Sequence, residues 1–176
     1  MNAQPKCKDL VHAACDSRLN DLRALLNPER SDVSLGDNGT MDTVIYVGDL
    51  DFLFGSLPEY RDNNGYFDMD EFLDNEFDSL ADQCYERFYE YGLSFDYVEP
   101  ETFEGQHEGY FRYQLSWGGP SEEIRFYHDE GSHQPYRIEF WYLDWFDGAS
   151  VDITGDSTAQ TVFDWFEGLG LDSFKQ

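Results

Sequence analysis

The chain has 176 residues, of which 37 are Asp or Glu and 11 are Lys or Arg, for a formal net charge of −26. A surface of that sign excludes general binding to DNA, RNA or an anionic bilayer, because phosphate affinity takes Lys and Arg. Aromatic residues make up 18% of the chain, which excludes a disordered polar polymer, and the length suits one domain burying roughly 70% of its unfolded surface.

The N-terminal stretch predicts an amphipathic helix, with Leu10, Val11, Ala14, Leu19, Leu22, Leu25 and Leu26 on its apolar side. Lys6 and Lys8 ahead of His12-Ala13-Ala14-Cys15 bear a faint likeness to a secretion signal. The apolar run is short and is interrupted by Asp9 and His12, so a signal is not expected. Residues 1–30 hold five bases and four acids, whereas residues 31–176 hold six bases and 33 acids. A loop over 27–42, with Asn27-Pro28, Gly36 and Asn38-Gly39 as turn chemistry, marks the change. Two parts are therefore expected: residues 1–42 as a helix-and-loop appendage and 43–176 as an acidic domain. Met41 stands where an internal start would fall.

From residue 43 the pattern alternates between strand and helix. Thr43-Val-Ile-Tyr-Val47 is β-branched and aromatic and predicts a strand. Residues 68–91 predict a long helix ended by Gly92, with Phe72, Phe77, Leu80, Cys84, Phe88 and Tyr91 on one face. Strands follow over 93–98, over 110–117 (Phe111, Tyr113, Leu115 and Trp117 on one side), over 123–128 with Ile124 and Phe126 inward, and over 136–146. Gly118-Gly119-Pro120 and residues 131–135 turn the chain between them. Ser157 or Thr158 is expected to cap a last helix with Val162, Phe163, Phe166 and Leu169 inward. Short turns between consecutive strands make antiparallel pairs. The expected fold is α+β: a mostly antiparallel sheet of about five strands, two helices packed on one face, and an N-terminal helix.

Chemistry-bearing motifs are sparse. Residues 60–71 resemble a calcium loop, with Asp62, Asn64, Gly65 and Glu71 in place, but Tyr60 occupies the first ligand position and offers no carboxylate. The histidines His12, His107, His128 and His133 show no metal spacing, although His128 and His133 flank one turn. Cys7, Cys15 and Cys84 are odd in number and unpaired in spacing, which suits reduced thiols in the cytoplasm. No nucleophile elbow or phosphate loop occurs. The expectation is a protein that is not an enzyme, with no cofactor, no metal and no membrane span.

One pattern stands out. Asp70, Asp74, Asp78, Asp82, Glu86 and Glu90 recur at every fourth residue of the long predicted helix, with Arg87 the only base between residues 68 and 90. Successive carboxylates climb roughly 6 Å and wind slowly around the axis. Like charges at this spacing destabilise a helix by a few tenths of a kcal/mol per pair. Acids kept off an apolar stripe also fall at such spacings, so a solvated face is the plain reading of one helix. The rest of the domain carries the same sign, including Glu122 and Glu123. A single-sign field over a small domain favours a cationic partner.

In composition the chain over 31–176 resembles DNA-mimic proteins, which block restriction enzymes, CRISPR effectors, glycosylases or nucleoid proteins by presenting carboxylates to a phosphate-reading groove. Locally, Phe111-Arg-Tyr-Gln-Leu-Ser-Trp-Gly-Gly-Pro120, Glu-Glu-Ile-Arg-Phe-Tyr127 and Tyr136-Arg-Ile-Glu-Phe-Trp-Tyr-Leu-Asp-Trp-Phe-Asp-Gly148 are similar to small uncharacterised proteins of bacterial plasmids and other mobile elements. These resemblances imply an anti-restriction or anti-CRISPR inhibitor in the cytoplasm of a bacterial host. Its partner would be a basic DNA- or RNA-binding protein, such as a nuclease complex, met by Asp70, Asp74, Asp78, Asp82, Glu86, Glu90, Glu122 and Glu123 without direct nucleic-acid binding. A homodimer would extend the mimicked duplex. The competing readings are an acidic antitoxin, immunity protein or chaperone for a basic partner, a domain adapted to a salty cytoplasm, and an enzyme. Rings in the stretch 141–146 are candidates for a dimer seam or a partner anchor.

Overall fold

The computed structural model describes residues 6–29, 33–34, 45–46 and 68–175. The elements in chain order are α1 (Cys7–Leu26), β1 (Val33–Ser34), β2 (Ile45–Tyr46), α2 (Met69–Tyr91), β3 (Ser94–Val98), β4 (Tyr110–Ser116), β5 (Ser121–Tyr127), β6 (Arg137–Asp144), β7 (Asp147–Asp152) and α3 (Ser157–Gly168), followed by a 3-10 turn at Leu171–Phe174. The fold class is α+β, with a five-stranded antiparallel sheet and an N-terminal helix. The chain divides into two compact units, Met1–Leu19 with Glu90–Gln176, and Asn20–Tyr89.

The larger unit is built on the sheet β3-β4-β5-β6-β7, a meander in which every neighbour is also the next strand in sequence. Side chains alternate between its two faces. On one face Phe111 lies opposite Phe126, Phe126 opposite Ile138, and Ile124 opposite Phe140. Helix α3 covers these residues. Phe163 lies 5.4 Å from Phe126, and Phe166 stacks on Phe95 at 3.8 Å and meets Tyr113 at 5.1 Å. Fully burying a ring of this kind stabilises the fold by about 1.5–3 kcal/mol, so this face is the core of the unit. Phe174 in the closing turn adds an edge contact to Phe95 at 4.9 Å.

Two details of α3 differ from expectation. The cap is Asp156, whose extended backbone lets its carboxylate accept from the Ala159 amide at 2.9 Å. A carboxylate also suits the positive end of the helix better than the hydroxyls of Ser157 or Thr158. Leu169 lies past the helix end and is exposed.

The main sheet has five strands, as expected, but its membership differs. Ile45–Tyr46 pairs in parallel with Val33–Ser34, apart from the main sheet. The fifth strand is instead β7, because the expected strand over 136–146 stops at Asp144 and reverses through Trp145 and Phe146. Trp117 does not share the inward side of Phe111, Tyr113 and Leu115. A register shift between Gln114 and Ser116, paired against Glu123 and Glu122, bends the end of β4 and turns Trp117 out to solvent.

In the smaller unit, Asp68 immediately precedes α2 and its carboxylate accepts from the Glu71 amide at 3.0 Å. Among the described residues of this unit, Leu22, Ala24, Leu25, Phe72, Leu73, Cys84 and Phe88 are buried. Of the expected apolar face of α2, Phe72, Cys84 and Phe88 are buried and Phe77 is half-buried. All three cysteines are buried. No helix among the described residues is long and apolar enough to cross a membrane.

Candidate functional site

The six expected helix carboxylates sit on one continuous element. Asp70, Asp74, Asp78, Asp82, Glu86 and Glu90 all lie on α2, and all are exposed. From Asp70 to Glu86 the row climbs about 24 Å and turns through roughly 160°. Asp70 and Glu71 occupy the first turn, where the helix dipole favours negative charge, but the last turn holds no base. Glu86 and Glu90 thus stand near the end of the helix that repels them. A helix selected for stability alone would place Lys or Arg there.

Glu122 and Glu123 correct the expectation. Both are buried, at 8% and 3% exposure, and as consecutive strand residues they point to opposite faces of the sheet. Arg18 of α1 reaches Glu122 with its Nε at 2.8 Å and also donates to the Tyr91 hydroxyl at 3.1 Å. Arg125 donates from Nε to Glu123 at 2.6 Å. The partners of these two carboxylates are inside the chain, so they do not belong to an outward acidic face.

The sheet face opposite α3 carries a network of arginines and aromatic rings. Its residues include Asp96, Val98, Tyr110, Arg112, Glu123, Arg125, Tyr127, Arg137, Glu139 and Trp141, brought side by side by the register of β3 to β6. Arg112 grips Asp96 with two bonds, at 3.0 and 2.7 Å. The Arg125 guanidinium lies 3.9 Å from the centre of the Trp141 ring and 4.7 Å from that of Tyr110. Arg137 lies 3.7 Å over Tyr127 and pairs with Glu108 at 2.5 Å. Bonds from Arg137 and Tyr136 hold the Glu108 carboxyl below the usual carboxylate range. Burial pushes the Tyr110 hydroxyl up to about 12. Tyr110, Tyr127 and Val98 form a small buried cluster beneath the arginines. Three of the six bases of residues 31–176 are thus fixed on one sheet face. Sequence reasoning missed this network, although Arg112, Arg125 and Arg137 all fall on the polar side of strong alternating patterns.

The remaining candidates separate. His128 contacts the Ser132 carbonyl at 2.6 Å, whereas His133 lies 3.5 Å from Glu167, so the two histidines serve different neighbours. The calcium-like loop lies outside the described residues except for its last four, which begin α2. Among the described residues no group of three or more His, Cys, Asp or Glu side chains is placed to hold a metal ion. Within the stretch 141–146, Trp141 is held under Arg125, while Trp145 and Phe146 are exposed. Comparison with protein-family models, with curated proteins and with solved structures found no match.

Proposed function

We propose that the chain is a nucleic-acid mimic that inhibits a bacterial defence enzyme of the restriction or CRISPR type by occupying its nucleic-acid-binding groove. The observation that carries this reading is the exposed carboxylate row of α2, placed on a 23-residue helix with acids where the dipole disfavours them. Its steps of about 6 Å are comparable with the path between successive phosphates, which advance ~3.4 Å along the duplex axis and also step sideways. Lys and Arg side chains arranged to read phosphates would meet carboxylates instead and release the same counterions. Inhibition then needs no bond making or breaking. The contribution of Glu122 and Glu123 is internal, so the row from Asp70 to Glu90 is the proposed contact.

The test is capture from bacterial lysate at low salt, followed by competition. A nucleic-acid-binding protein that added duplex DNA displaces, and that the triple variant Asp74→Lys, Asp78→Lys, Asp82→Lys binds at least about tenfold more weakly, supports the proposal. A basic partner that DNA leaves in place points to the antitoxin or immunity class. Undiminished binding by the triple variant removes the helix row from the interface.

A further inference from the structure

Three large rings stand at one end of the five-stranded sheet. Trp117 follows β4, and Trp145 with Phe146 forms the two-residue turn between β6 and β7. At 78%, 88% and 103% exposure they are the most exposed large hydrophobic residues among those described. The pairing of Ser121 with Leu143 brings the two turns to the same end. A Cβ added to Gly119 would lie 3.4 Å from the Trp145 indole nitrogen, so the indole rests against the glycine turn. Beside it opens a pocket of about 410 Å³ lined by Gly118, Gly119, Ser121, Leu143 and Trp145.

The fold itself does not call for these rings. Trp145 has φ +50, in the first position of a two-residue hairpin turn where glycine is favoured. A bulky residue is therefore held in the left-handed region while its side chain packs little and faces water. Strain of this kind persists where something other than folding selects it.

We propose that this tip is a self-association surface on which two copies of the chain meet end to end about a twofold axis, Phe146 of each entering the Gly119–Trp145 pocket of the other. The surface carries both halves of such a contact, a projecting ring and an apolar hollow beside it, as a twofold interface requires. Its size fits a weak dimer. Rings of 150–250 Å² each, at these exposures, would bury roughly 500 Å² per copy and roughly 1,000 Å² in all, at the lower edge of specific interfaces. One flanking charge is engaged within the chain, and the other, the Asp144 carboxylate, lies beside the Gly119 turn. Of the two flanking acids, Asp147 accepts from the Cys7 amide at 2.9 Å and feels Lys6 nearby. The net charge of −26 on each copy opposes the approach at long range, so dimerisation must strengthen as salt screens that repulsion. Binding of a cationic partner by α2 carries the opposite salt dependence, and the tip contact stands whether or not that partner exists.

Sedimentation velocity of the full chain tests this, from about 10 µM to about 1 mM protein, where a small interface of this kind dissociates. Between about 0.1 M and about 1 M NaCl the screening length falls from about 10 Å to about 3 Å. A dimer is expected whose association constant rises at least about tenfold over that range, and which Trp145→Gly and Phe146→Ser each weaken at least about tenfold. Both variants should keep the parent Tm or exceed it, since the first relieves a left-handed tryptophan and the second removes a ring that faces water. A monomer at the highest protein and salt concentrations overturns the proposal. So does a dimer that loosens with salt, or one that neither substitution weakens.

Discussion

On α2, Asp70, Asp74, Asp78, Asp82, Glu86 and Glu90 face solvent along a helix whose own sequence supplies one arginine. On the sheet, Asp96, Glu122 and Glu123 each hold an arginine at 2.5–2.7 Å, and Glu122 and Glu123 are buried. The same residue type thus does two different jobs. The sheet carboxylates hold arginines from a neighbouring strand, from their own strand and from α1, and two of those arginines, Arg18 and Arg125, also lie over aromatic rings. Helix carboxylates follow one another at a spacing that sets like charges side by side. What separates the two regions is where the few bases went. Three arginines stand on one face of the sheet, whereas Arg87 is the one base in the sequence of α2.

The sharpest way to break this contrast is Arg125→Ala. It leaves Glu123 buried without its partner and uncovers one side of Trp141, so we expect a loss of about 3–5 kcal/mol in urea unfolding. Replacing the pair together, with Arg125→Met and Glu123→Leu, should recover most of that loss, because a buried pair exchanged for apolar groups of similar size is close to neutral. A small loss in the single variant would mean that the sheet carboxylates are as dispensable as those of the helix.

A second, intermediate effect concerns pH. Burial raises the Tyr110 hydroxyl to about 12, raises Tyr113 further, and raises the Cys15 thiol to about 12. A group whose folded pKa exceeds its unfolded value adds stability that is complete below the unfolded pKa and is lost as pH rises toward and through the folded one. With ordinary values of 9.0 for the thiol and 10.0 for the phenol, stability should fall from about pH 9 upward and steepen above about pH 10. Tyrosinate absorbance should appear together with unfolding. Full ionisation of all tyrosines in a still-folded chain would contradict the buried placement of Tyr110 and Tyr113.

The smallest effect sharpens the comparison from the helix side. Asp78→Lys converts two like-charge pairs, with Asp74 and Asp82, into opposite-charge pairs, and should raise stability by about 0.5 kcal/mol. A rise in Tm measures the repulsion that the native row tolerates. No rise would remove the argument that the row is held against folding.

Much of the fold was legible in the sequence where a strong period met clear punctuation. Phe111, Tyr113 and Leu115 alternate cleanly and are followed by Gly118-Gly119-Pro120, so β4 and its turn could be read directly. Strand β7 could not be, because Asp147–Asp152 is small and polar and the turn before it is Trp145-Phe146, which has no turn chemistry. The acid row on α2 was legible because spacing within a helix is fixed by geometry. The burial of Glu122 and Glu123 was not. Arg18 lies 104 positions from Glu122, and nothing local announces that pairing. The bulge after Gln114 was equally hidden, and with it the outward turn of Trp117.

The placement of the four tryptophans has an optical consequence. Trp117 and Trp145 stand in water, Trp141 lies under a guanidinium, and Trp165 is only half-buried beside Phe166. No indole sits in the dark interior that usually makes tryptophan emission a gauge of folding. Emission therefore comes from exposed and half-buried indoles, and loss of structure is better followed through the near-ultraviolet ellipticity of the Phe95, Phe111, Tyr113 and Phe166 stack.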